Sequence, residues 1–271
     1  MYRLMQPSDR EAVLALWQRT RGGSAAFAAA ALDRFAGPEN VTLAEEDGAV
    51  TACALAVPVS LRGRPGSYLY GLCGASGPVL AGLVDAVCAQ QRARGAGFTV
   101  AVPSGAAEAA LLAGKGFGRA FALRCLTREV RRNLWSQAEF DTVTAKKLCE
   151  LRAQFWPDCV QLPPERMAVV LGDLYARGAT IVSDDRGYGI YFRREDTLYF
   201  VEMMADDDRT AERLMEAARE KEVIVERAVI TVGAAQPLFL GEGTRQEYGM
   251  IRFDAGPFDV SESYMRLMLE N

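Results

Sequence analysis

The chain has 271 residues, half of them hydrophobic and 24% charged, and a formal net charge of −4 at neutral pH. That length is generous for one mixed domain and comfortable for two, each able to bury its own core. The composition excludes a disordered chain, no run of about 18 apolar residues is present to span a bilayer, and the clustered Lys and Arg that bind nucleic acid are missing, Arg131-Arg132 and Lys146-Lys147 being the densest basic groups.

Histidine is absent. This removes Ser-His-Asp and Cys-His catalysis, His-containing zinc sites and imidazole pH switches. Cys53, Cys73, Cys88, Cys125, Cys149 and Cys159 show no metal-ligand spacing, so they read as reduced, mostly buried thiols and no metal site is expected. The opening MYRLMQPSDREAV lacks the succession of a signal peptide, and a cytoplasmic protein is expected.

Taken in chain order, Ser8-Asp9-Arg10-Glu11 fits a capping box ahead of a helix through Val13, Leu14, Leu16 and Trp17, ended by Gly22-Gly23. Ser24 can cap a second helix carrying Phe27, Leu32 and Phe35. Strands are expected at Val41 to Glu45 and Val50 to Leu61 around the hairpin turn Asp47-Gly48. Then come a strand at Tyr68 to Cys73, a helix at Val79 to Arg94, a buried strand at Phe98 to Val102, and a short helix at Ala107 to Ala113. The alternating stretch Ala120 to Val130 is read as closing a first unit.

Residues 132–144 lose periodicity and are read as a linker between domains at 1–131 and 145–271. The pattern then repeats, with helices at Ala145 to Trp156 and Pro164 to Arg177, strands at Ala179 to Ser183, Tyr188 to Arg193 and Thr197 to Met204, a helix at Asp207 to Lys221, and a strand at Arg227 to Val232. Tyr70 to Phe98 and Tyr199 to Val229 separate equivalent strands by similar lengths, which predicts a tandem duplication of one mixed α/β fold.

The opening YRLMQPSDREAVLALWQRT, the hairpin TLAEEDGAVTACALAVPVSLRG and the block from Tyr68 to Phe117 resemble the GNAT N-acetyltransferases. The tandem arrangement is similar to the first two domains of the enhanced-intracellular-survival-type acetyltransferases, without their third, sterol-carrier-like domain. In the second half the resemblance rests on the hairpin around Asp184 to Gly187, on LYFVEMMADDDRTAERLMEAA and on the closing YMRLMLEN. It implies two GNAT-like acyl-CoA N-acyltransferase domains, each a mixed, mostly antiparallel sheet flanked by helices. It further implies acetyl-CoA as donor and a small-molecule or peptide amine as acceptor, with pantetheine on the exposed edge of the fourth strand and pyrophosphate on amides that open the next helix.

On this chain the donor-binding positions become Leu72, Cys73, Gly74, Ala75, Ser76 and Gly77. The loop is short and has no Arg or Gln, Pro78 removes an amide, and Leu112 stands where the family often has an acid tyrosine. A compact anion nest and a plain helix-capping turn therefore compete for the loop. A catalytically inactive protein that keeps the fold for binding, sensing or protein association competes with the enzyme.

In the second half Ala205-Asp206-Asp207-Asp208 would repel phosphates, so no donor is expected there, and Asp206 or Asp207 should cap the following helix. Glu202, set in an apolar strand, is the candidate catalytic base, with an ion pair to an arginine across the domain interface, or simple exposure on a sheet edge, as the competing roles. Tyr68 and Tyr70 share one strand face and either line an acceptor pocket or pack in the core. The tip Glu45-Glu46-Asp47 could attract a cationic amine or simply be solvated. Met203, Met204, Met250, Met265 and Met268 read as core filler, and the chain could form a homo-oligomer.

Overall fold

A computed structural model describes residues 1–74, 77–222, 224–266 and 269. The chain forms two compact units that interlace in sequence, one made of residues 1–120 with 248–259 and the other of residues 121–247 with 260–269.

In the first unit β1 (Tyr2–Leu4) precedes α1 (Arg10–Thr20) and α2 (Ala25–Ala30), then β2 (Val41–Glu46), β3 (Ala49–Leu61), β4 (Arg64–Gly74), α3 (Gly77–Ala93), β5 (Phe98–Ala101) and α4 (Ala106–Gly114). The second unit takes its strands from β6 (Gly118–Glu129), β7 (Glu139–Phe140), β8 (Ala179–Asp184), β9 (Gly187–Arg194), β10 (Thr197–Ala205) and β11 (Arg227–Gly233). Its helices are α5 (Ala145–Phe155), α6 (Pro164–Ala176) and α7 (Asp208–Glu222). The last strand, β12 (Thr244–Phe253), pairs antiparallel with β5 and so completes the first unit, whose strand order is β1-β2-β3-β4-β5-β12. The second unit runs β6-β11-β10-β9-β8-β7.

The division differs from the expected cut at 132–144. Residues from Phe121 onward in β6 pair with β11, from Leu123 opposite Gly233 to Glu129 opposite Arg227, so this strand serves the second unit instead of closing the first. The supposed linker contains β7, which extends β8.

Local signals explain most elements. The Ser24 hydroxyl accepts from the Phe27 amide at 3.0 Å, as expected of a cap. The first-helix box is displaced, however: Asp9, not Glu11, reaches back to the Gln6 amide at 2.7 Å around a short 3-10 turn at Pro7–Asp9. Asp47 and Gly48 both take positive φ, 50° and 78°, in the β2–β3 hairpin. α3 turns Leu83, Val84, Val87 and Cys88 into the sheet, at helical spacing. Met203, Met204, Met250 and Met265 are buried, whereas Met268 lies outside the described residues.

Among the described residues, one pairing between the strands of each unit is parallel and the rest are antiparallel. β4 runs parallel to β5 and β10 runs parallel to β11. Each of these strands also carries an extra residue against its antiparallel neighbour. On β4, Gly71 and Leu72 stand opposite the single Ala54, with Cys53 facing Cys73 and Leu55 facing Tyr70. On β10 the irregularity falls at Val201, between the Phe200–Tyr191 and Glu202–Ile190 pairs. Gly71 supplies the positive φ of 61° at the β4 bulge.

A Cβ at Gly71 would lie 2.5 Å from the Trp17 ring. Gly71→Ala therefore meets both a strained φ and a steric clash, whereas Gly22→Ala, at φ 69° with nothing within 4 Å, meets only the first. Urea denaturation should show Gly71→Ala losing more than the roughly 1–3 kcal/mol of a strained backbone position, and Gly22→Ala staying at or below that range.

Candidate functional site

In the first unit the parallel pairing between β4 and β5 covers Ser67–Thr99, Tyr68–Val100 and Leu69–Ala101. There β5 ends, while β4 continues through the bulge to Gly74. The two strands part, and the backbone from Tyr70 to Gly74 loses its parallel neighbour. The half-buried Leu72, Val79, Leu80, Ala109 and Leu111 pack against a core cluster that includes Leu69, Ala101, Leu112 and Phe117. α3 opens at Gly77, where an added Cβ would meet nothing within 4 Å. Of the expected donor-binding positions, Leu72, Cys73, Gly74 and Gly77 lie at this fork, and Ala75 and Ser76 lie outside the described residues.

The other side of β4 is closed. Tyr68 and Tyr70 are only 2% and 3% exposed. Tyr70 packs edge-on to Phe35 at 5.5 Å between ring centroids and lies 5.8 Å from Trp17. These tyrosines fill the core beneath α1 instead of lining an open acceptor pocket, because the sheet face they share is covered by α1 and by the helical turns Ala31–Ala36 that carry Phe35. Arg21, just past the end of α1, donates to the Leu72 carbonyl at 3.3 Å and stacks over Trp17 and Tyr70. Cys73 faces Cys53 across the hairpin, and its thiol is brought down to about 7 by the hydrogen bond from Cys53, with Thr20 and Arg21 assisting against burial. All six cysteines are free. Leu112 has no exposure, so the position of the family's acid tyrosine is apolar core here. At the hairpin tip, Glu45 pairs with Arg3 at 2.6 Å.

The second unit repeats this geometry and then fills it. β10 and β11 pair from Thr197–Arg227 to Phe200–Ile230. Beyond that, buried Gln236 bridges the parting strands, accepting from the Gly233 amide at 2.9 Å and donating to the Met203 carbonyl at 2.9 Å. Arg124 of β6 holds that loop by donating to the carbonyls of Gln236, Leu238, Phe239 and Glu242, each at 2.8 Å. At the start of α7, Asp207 accepts from the Thr210 amide at 2.7 Å, the expected cap, and Asp208 accepts from the Phe239 amide at 2.7 Å. Arg186 reaches Asp206 at 3.2 Å and Asp207 at 3.0 Å. The Asp207 carboxyl is held below its ordinary range, chiefly by the Thr210 amide.

Glu202, the expected base, has no exposure. One of its oxygens accepts from Arg152 at 2.5 Å and from Tyr264 at 2.8 Å, and the other accepts from Tyr188 at 2.6 Å. Arg152 also donates to the Arg266 carbonyl at 2.8 Å and to Cys159 Sγ at 3.1 Å. Burial, then the Glu202 charge, pushes both phenols well up, so they remain donors. Burial opposes the Arg152 charge, but Cys159 and Glu202 outweigh it and the guanidinium stays ionised. A carboxylate so enclosed anchors the sheet to α5 and to the 260–269 segment; it is not placed to take a proton from an incoming amine.

Sequence reasoning missed Arg152 and Gln236. Arg152 left a trace, since it falls on the apolar face of α5 with Leu148 and Leu151. Gln236 left none, because its role depends on a strand separation made elsewhere. Among the described residues no cluster of His, Cys, Asp or Glu is arranged to hold a metal, and no helix is long and apolar enough to cross a membrane.

No family model matches this sequence, and no curated protein matches it. Solved structures do share the fold. A GCN5-related N-acetyltransferase from Kribbella flavida superposes with a TM-score of 0.74 at 16% identity, over 94% of this chain and 71% of that one. Eis1 from Mycobacterium abscessus gives 0.65 at 13% identity, over 93% and 73%. A tandem GNAT protein from the clavulanic acid biosynthesis pathway gives 0.55 at 14% identity, over 96% and 99%.

Removing one partner of the buried pair should be expensive. Glu202→Ala leaves Arg152 charged and uncompensated and should cost about 3–5 kcal/mol. Glu202→Gln, which can still accept from the tyrosines, should cost less, as read from denaturant midpoints at constant m-value.

Proposed function

We propose that this chain, which carries the GCN5-related N-acetyltransferase fold in its tandem form, is an acyl-CoA-dependent N-acyltransferase with one donor site, in the first unit. The observation that carries this reading is the fork between β4 and β5: a strand edge with free backbone length, bordered by Leu72, Val79, Leu80 and Leu111, and leading to the open start of α3 at Gly77. Such an edge suits an extended amide-containing chain, which adds to a sheet through main-chain hydrogen bonds. A helix start favours phosphate. The equivalent fork of the second unit is taken by Gln236, and three successive carboxylates precede or open α7.

In the proposed reaction the neutral amine of the acceptor attacks the thioester carbonyl carbon. The C–N bond forms, the C–S bond breaks, the coenzyme leaves as thiolate and the ammonium intermediate loses a proton to solvent. A thiolate is a tolerable leaving group near neutrality, since thiols titrate around 8.5. Positioning supplies most of the acceleration, and the apolar Leu112 forgoes the roughly 10²–10⁴-fold that a positioned acid contributes. That same residue favours the second reading, a protein that binds the donor or a related anion without turnover.

Isothermal titration with acetyl-CoA at low salt should show one site per chain. Gly77→Asp puts a carboxylate where α3 tolerates it well and should weaken binding at least tenfold without lowering Tm. Binding coupled to thiol release with primary amines supports the transferase. Binding without release leaves the sensing role, and no binding to the intact chain removes both.

A further inference from the structure

Cys53 of β3 and Cys73 of β4 are direct cross-strand partners. The β4 bulge makes them so. With Tyr70 opposite Leu55, an unbroken register would set Leu72 against Cys53, and the extra residue moves Cys73 into that place. Partners in an antiparallel pair sit about 4.5–5.5 Å apart at Cα, inside the roughly 4.4–6.8 Å that a disulfide spans. Their side chains share the face that carries Tyr70, under the end of α1. Both are free thiols, joined by a hydrogen bond.

The surroundings make the two sulfurs unequal. Cys73 accepts from the Cys53 thiol, and Thr20 and Arg21 add to that effect against burial, so its own thiol is brought down to about 7. Cys53, which donates that bond and is buried, is pushed well up and keeps its proton. A thiolate beside a protonated thiol is the arrangement that turns a sulfenic acid into a disulfide. Elsewhere burial pushes Cys88 up to about 11 and Cys159 up to about 12. Access to the pair is narrow. Cys53 and Cys73 are 0% and 1% exposed, but Cys73 lies between the half-buried Leu72 and Gly74, and its neighbour Thr20 is exposed. The Cys73 sulfur is thus one side chain below the surface, within reach of a small neutral peroxide and out of reach of a bulky disulfide reagent.

We propose that Cys53 and Cys73 form a redox site that a small peroxide converts from dithiol to disulfide, tying β3 to β4 across the bulge. The Cys73 sulfur attacks one peroxide oxygen; the S–O bond forms, the O–O bond breaks and hydroxide leaves. The Cys53 sulfur then attacks the sulfenic sulfur. The S–S bond forms, the S–O bond breaks, and the departing oxygen takes the Cys53 proton and leaves as water. Two electrons pass from the sulfurs to the peroxide, and a dithiol reductant reverses the change. None of this depends on what the fork between β4 and β5 binds.

Hydrogen peroxide added to the intact chain in stoichiometric amount, followed by blocking of the remaining thiols and peptide mapping by mass, tests it. The free-thiol count should fall by two from six, with a linked peptide pair containing Cys53 and Cys73. Dithiothreitol should restore the count, and oxidised glutathione should leave it unchanged. The oxidised chain should melt higher, because the cross-link restricts the unfolded state. Cys53→Ala should stop at a Cys73 sulfenic acid that dimedone traps, and Cys73→Ala should consume peroxide more slowly by roughly tenfold or more. Six thiols that survive several equivalents of peroxide, a cross-link to any other cysteine, or a pair that oxidises only in denaturant overturns the proposal. Each of these is read on the wild-type chain, whether or not the variants fold.

Discussion

Two parallel strands that pair for a few residues and then separate set the rest of this architecture. The other strand pairings described within each unit are antiparallel, but β4 and β10 each gain an extra residue against the neighbouring strand and lose the parallel one. The bulge increases local twist and bends the strand away. Past it lies backbone with hydrogen-bonding capacity and no sheet to absorb it, a condition that buried polar groups tolerate poorly. Something must satisfy it, whether a ligand, water or another part of the chain.

The two units meet this demand differently. In the second, a glutamine amide serves as the missing strand, and an arginine gathers the carbonyls of the loop that carries it. The same strand then carries Glu202 into an interior with Arg152 and two tyrosines, a charged cluster with every carboxylate oxygen engaged. Such networks specify one arrangement more than they add stability. In the first unit the corresponding fork has an apolar border and an uncrowded helix start. The two units thus share one strand pattern and differ, among the described residues, in whether a side chain of the same unit bridges the fork.

Much of this was legible in the residues. The hairpin at Asp47-Gly48, the cap at Ser24 and the strand-helix-strand spacing of both halves are local signals, and local chemistry decides them. The capping box slid from Ser8-Glu11 to Gln6-Asp9 because Pro7 starts a tight turn and Asp9 was the nearer acceptor. Glu202 stood out as a polar group in an apolar strand and the tyrosines as a pair on one strand face, but sequence could not say whether the facing surface was open. That depends on α1 and α5 packing over them, contacts far away along the chain. The fate of β6 was illegible for the same reason, since alternation marks a strand and does not name its neighbour, and β12 was not read as a strand at all.

The interlacing of the units bears on how the molecule comes into being. β5 of the first unit takes β12 as its neighbour, and β12 is synthesised after nearly all of the second unit. On a ribosome the first sheet must wait with an unpaired edge while about half the chain emerges, at roughly 5–20 residues per second. The second unit's strands lie in one continuous stretch, whereas the first unit's sheet lacks its last strand until that stretch has been made, so the first unit to begin is the last to be completed. The second unit can close its sheet as it emerges, and the first is completed only when β12 returns to the edge of β5.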